Sequence, residues 1–112
     1  MKKIGNYVTG HWIECMGDQH RLSDAVTGTP LYMAGTKGLD FQEILDYARK
    51  QGNPALRKMT FHERGRMLKA LALYLKNQVE KFYRISYQTG ATRADSWIDL
   101  EGGIGNLFPM LP

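Results

Sequence analysis

The sequence predicts a mainly α-helical fold led by an N-terminal β-ribbon, and three of its features carry that prediction. From Asp40 onward apolar residues recur at three- and four-residue spacing, the period of one helix face. Thr60-Phe61-His62-Glu63 opens the longest of these stretches with the Thr-x-x-Glu spacing of a capping box. Before Asp40, aromatic and β-branched residues are mixed with glycine-containing turns, the composition of short strands. The expected bounds are about 6–34 for the ribbon and about 41–51, 61–88 and 93–108 for three helices.

The ribbon is expected from two runs, Tyr7-Val8-Thr9-Gly10-His11-Trp12-Ile13-Glu14 and Pro30-Leu31-Tyr32-Met33-Ala34, with a turn at Thr27-Gly28-Thr29-Pro30 before the second. Paired antiparallel, these make a two-stranded unit that is marginal in water and needs a surface to lie against. The first helix has Asp40 as its cap and Glu43 at the third helical position. Phe41, Ile44, Leu45 and Ala48 share one face, and Gly52 and Pro54 stop it. The second is expected to run unbroken from about Phe61 to Gln88. Leu68, Leu71, Ala72, Leu75, Val79, Phe82 and Ile85 form its apolar face, and Arg64, Arg66, Lys69, Lys76, Lys81 and Arg84 lie opposite.

A third helix restarts at Thr92, with Asp95 in the capping-box position. Its apolar stripe runs through Trp97, Ile98, Glu101, Ile104 and Phe108 and is interrupted by Gly102, Gly103 and Gly105. Each glycine in a helix interior costs about 1 kcal/mol relative to alanine, so the trio gives up about 3 kcal/mol unless something packs closely on that bare backbone. A protein partner is therefore expected there. Pro109 and Pro112 are expected to end the helix abruptly, as in a chain cut short.

The length, 112 residues, suits one domain, and 43% hydrophobic with 23% charged residues is ordinary globular usage. No apolar run is long enough to span a bilayer, and Met1-Lys2-Lys3 is not followed by the apolar core of a secretory signal, so a cytoplasmic chain is expected. The net charge of +4 and pI near 9.3 come from scattered basic residues accompanied by acids, so neither nucleic acid nor a membrane is expected as partner.

Chemistry-bearing residues are few. Cys15 is the single cysteine, so it forms no internal disulfide, and beside Glu14 at the end of an expected strand it reads as structural. His11, His20 and His62 lack the HxxxH or HExxH spacing of a metal site, and Glu63 is already engaged as a cap. The run Glu101-Gly102-Gly103-Ile104-Gly105-Asn106 has neither the preceding strand nor the Lys-Ser/Thr ending of a phosphate loop, so close helix packing is the preferred reading. The basic face of the second helix carries Glu63 and Glu80, and Tyr83 and Tyr87 form no stacking platform. A solvated or partner-facing surface is expected. No catalytic, cofactor-binding or metal-ligating residue is assigned.

The strings YVTGHWIE, AVTGTPL, GLDFQEILDYAR, ALRKMTFHERGRMLKALALYLKNQVEKFY and QTGATRADSWIDLEGGIGNLF, taken in order, resemble the N-terminal region of the phenylacetate-degrading branch of the aldehyde dehydrogenase superfamily. The resemblance covers Tyr7 to Phe108, and TGATRADSW and DLEGGIG are its most specific parts. It implies a partial, N-terminal piece of an α/β dehydrogenase fold. It further implies a parent enzyme that oxidises a ring-opened CoA-thioester semialdehyde with NADP, joined to a hydratase-like domain with oxepin-CoA hydrolase activity. Such a dehydrogenase needs a cysteine nucleophile, a glutamate that activates water and an oxyanion-holding asparagine. None of these carries over: Cys15 does not match the nucleophile, and Asn106 does not match the asparagine.

Two functions of different class follow. The chain is expected to be an inactive segment of such a dehydrogenase, with no cofactor of its own and the remainder of the enzyme as partner. The alternative is a stand-alone helical interaction module that associates with a partner or with itself through exposed apolar faces.

Overall fold

The computed structural model describes residues 1–108. The expected stop at Pro109 and Pro112 lies outside the described residues. Chain contacts cluster into two units, one of residues 1–56 and one beginning at Arg57.

The first unit holds five short strands: β1 (Lys2–Ile4), β2 (Asn6–Val8), β3 (His11–Ile13), β4 (His20–Ser23) and β5 (Pro30–Ala34). The expected pairing of the Tyr7–Glu14 run with the Pro30–Ala34 run is corrected here. The first run folds on itself, with β2 antiparallel to β3, Tyr7 opposite Trp12 and Val8 opposite His11. The tight turn places Thr9 at φ 50° and Gly10 at φ 88°, the left-handed region in which glycine is at ease and threonine is unusual. Strand β5 instead lies between β1, which it meets in parallel, and β4, which it meets antiparallel.

The β4–β5 turn is built by Asp24, whose Oδ1 accepts from the amides of Val26 and Thr27 at 2.8 and 2.9 Å. The bonds from the Thr27 and Val26 amides hold its carboxyl below the usual carboxylate range, and Gly28 at φ 73° completes the reversal. A side-chain bond links the two sheets, Asn6 Nδ2 donating to the Gly35 carbonyl at 2.8 Å.

The first helix starts as predicted, with the Asp40 side chain accepting from the Glu43 amide at 3.1 Å. It does not stop at Gly52. α1 (Phe41–Tyr47) passes through a wide π turn at Ala48–Gly52 into α2 (Asn53–Lys58), the Asn53 amide reaching back to the Ala48 carbonyl. Pro54 is the second residue of α2, directly after that wide turn, so the proline expected to end the helix is carried within it just past a widened turn.

In the second unit the expected continuous helix is two. α3 (Phe61–Asn77) and α4 (Val79–Gln88) meet at Gln78, whose φ of −102° and ψ of 3° leave the helical range. The amides of Gln78 and Lys81 bond three residues back at the junction, so the break is a tightened turn. Gly90 at φ 89° then reverses the chain into α5 (Arg93–Ser96), a π turn at Trp97–Glu101 and α6 (Gly102–Gly105).

About half of the described residues are helical and the others include small sheets, which fits the predicted combination of helices with N-terminal strands. No helix among the described residues is long and apolar enough to cross a membrane.

Candidate functional site

What these elements assemble is a surface. Among the described residues of the first unit none is buried, and in the second only Gly65, Ala72, Tyr83 and Ser96 are. Large apolar side chains stand in water instead: Trp12 is 71% exposed, Ile98 67%, Tyr74 64% and Trp97 60%. Each unit therefore shows large apolar side chains to water, Trp12 in the first and Tyr74, Trp97 and Ile98 in the second.

The second unit has a small core. Ala72 of α3 is fully buried, and Tyr83 of α4 is 3% exposed with its ring 6.1 Å from that of Tyr87. The Arg93 guanidinium lies 5.2 Å from the Tyr83 ring centre, within cation–π range. Burial raises the Tyr83 phenol above its ordinary value, with Glu101 adding to the shift and Arg93 opposing it. Ser96 donates to the Thr92 carbonyl at 2.8 Å and its hydroxyl meets that of Ser86, also at 2.8 Å, which ties α5 to α4. Sequence reasoning missed this cluster, since two serines ten residues apart on separate helices give no periodic signal.

The second unit also has an open hollow of about 370 Å³, lined by Leu75, Phe82, Asp99, Leu100, Gly103, Ile104 and Leu107. The lining is mostly apolar. Gly102, Gly103 and Gly105 were expected to be packed against something. A Cβ built on any of the three meets nothing within 4 Å, so the described chain itself supplies no such partner. Nor do they form one groove. At about 100° per residue within α6, Gly102 and Gly105 stand about 60° apart, whereas Gly103 is about 100° from Gly102 and lines the hollow.

The other candidate residues stay apart. Strand β3 ends at Ile13, so Cys15 is in the following loop and not in a strand; it is half-buried, and its thiol donates to the Asp18 carbonyl at 3.7 Å. His11 is on β3, His20 on β4 and His62 in the first turn of α3, all exposed. Among the described residues no three His, Cys, Asp or Glu side chains come together as a metal site. Glu63 caps α3 as its spacing predicts. The Thr60 amide donates to its Oε2 at 2.6 Å, while its own amide donates to Thr60 Oγ1 at 3.1 Å. Arg64, Arg66, Lys69, Lys76, Lys81 and Arg84 are all exposed.

NADP, implied by the resemblance, finds no fit in the glycine run. Gly102–Gly105 is helical and Asn106 caps it, its amide bonded to the Gly102 carbonyl at 3.2 Å, so these residues form no loop of free amides that cradles phosphate.

Comparison with known proteins gives this surface a context. No protein-family profile matches the chain. It is similar to an enzyme of the semialdehyde dehydrogenase class, in line with the aldehyde dehydrogenase resemblance read from its strings. That relative is the 3,4-dehydroadipyl-CoA semialdehyde dehydrogenase of Aromatoleum evansii, 38% identical over 103 residues, or 91% of this chain. The chain spans only 20% of the relative's length.

Proposed function

We propose that this chain is a segment of a phenylacetate-pathway semialdehyde dehydrogenase, corresponding to the N-terminal part of its aldehyde-oxidising domain and inactive by itself. The parent enzyme oxidises a ring-opened CoA-thioester semialdehyde with NADP and carries oxepin-CoA hydrolase activity in a further domain. In this reading the segment contributes no catalytic or cofactor-binding residue, and the remainder of the dehydrogenase is its partner. The single observation that carries it is the match over 91% of the chain to one fifth of a dehydrogenase. The exposed tryptophans and the sparse core support it, because a segment removed from a larger fold shows its contact faces to water.

A graft tests the proposal. This chain replaces the matching segment of the Aromatoleum evansii dehydrogenase, and the purified chimera is assayed for reduction of NADP by 3,4-dehydroadipyl-CoA semialdehyde. We expect a soluble, active chimera and no turnover by the free chain. A chimera that aggregates or lacks activity while the unaltered relative is active contradicts the proposal.

A further inference from the structure

We propose that the hollow between α3, α4 and residues 97–107 is the seat of an apolar backbone segment from the remaining dehydrogenase chain, and that Gly103 is the point of closest approach. The inference rests on the proposed function and deepens it by naming the face and the contact.

Three observations lead there. Leu75, Phe82, Leu100, Ile104 and Leu107 line an open hollow of about 370 Å³, large enough for several side chains. Gly103 forms part of its wall in ordinary helical geometry, so the backbone does not require glycine there. A Cβ at that position meets nothing in the described chain, so internal packing does not require it either. Glycine at such a position lowers helix stability without local return, and the remaining physical use is to let another backbone come close.

The occupant follows from length. The chain spans 20% of its dehydrogenase relative, so about four fifths of a chain of that kind is available to cover the hollow. The mostly apolar lining selects an apolar segment, and the missing Cβ lets the backbone of that segment come close.

Gly103→Ala separates this from a solvent-facing glycine, because its effect changes sign with context. In the free chain we expect greater helix content by far-ultraviolet circular dichroism, since alanine is the better helix former and nothing is in its way. In the active chimera we expect the same substitution to lower the thermal midpoint by several degrees or to abolish soluble folding, as the added methyl meets the docked segment. An alanine that leaves the chimera's midpoint unchanged or raises it overturns the inference and leaves the proposed function standing. A parent chimera that does not fold overturns both.

Discussion

At the scale of single residues the glycines divide into those the fold requires and those it does not. At Gly35 a Cβ would stand 2.8 Å from Cys15 Sγ and 3.4 Å from the Asp18 carbonyl oxygen. Gly35→Ala is therefore expected to loosen the β4–β5 end, seen as faster hydrogen exchange of its amides, and the added change Cys15→Ala is expected to restore much of the protection. Gly102 and Gly105 have open space, so alanine at either is expected to raise the free chain's helix content, each by about 1 kcal/mol of local helix preference. The capping carboxylates give a pH dependence with a definite sign. Bonds from Thr60 hold Glu63 below the usual carboxylate range, with a smaller contribution from Arg66, and Thr92 does the same for Asp95. Because the folded values lie below the unfolded ones, the caps contribute fully above ordinary carboxylate pKa values. Their contribution is lost as pH falls through the depressed folded values. Acid titration followed by circular dichroism should show helix content falling on that acidic side, and Thr60→Ala should flatten part of the change.

At the scale of elements, what the sequence made legible was local and what it hid was long-range. The caps at Asp40, Thr60 and Thr92 were readable because each is a side chain bonding an amide three residues on. β1 was not readable: Lys2-Lys3-Ile4 has no strand pattern and exists as a strand only through its parallel register with Tyr32, Met33 and Ala34. β4 was hidden for the same reason, since Arg21 and Leu22 are ordered by pairing with Met33 and Tyr32. The break at Gln78 escaped because the apolar period passes through it from Leu75 to Val79 without a glycine or proline to mark it. Of the candidate surface, the glycine interruption was visible in the sequence, but the hollow beside it depends on how the segment after Gly90 folds back along α3 and α4. Gly90 is the hinge of that reversal. With φ at 89°, Gly90→Ala is expected to cost about 1 kcal/mol or more and to release α5 from α4, measurable as increased exchange at Ser96.

At the scale of the molecule the decisive quantity is surface. Among the described residues of the first unit none is buried, and in the second only Gly65, Ala72, Tyr83 and Ser96 are. Each unit is thus under-buried taken by itself, with Trp12 of the first and Trp97 of the second in water. A stand-alone interaction module would need its own core before it met a partner, whereas a segment of a dehydrogenase borrows one from the rest of the enzyme. Scanning calorimetry of the free chain distinguishes the two most directly. A self-sufficient domain of 112 residues should absorb about 80 kcal/mol in one sharp cooperative transition. For this chain we predict a broad, shallow trace with no such peak; a sharp transition of that full enthalpy would contradict the account.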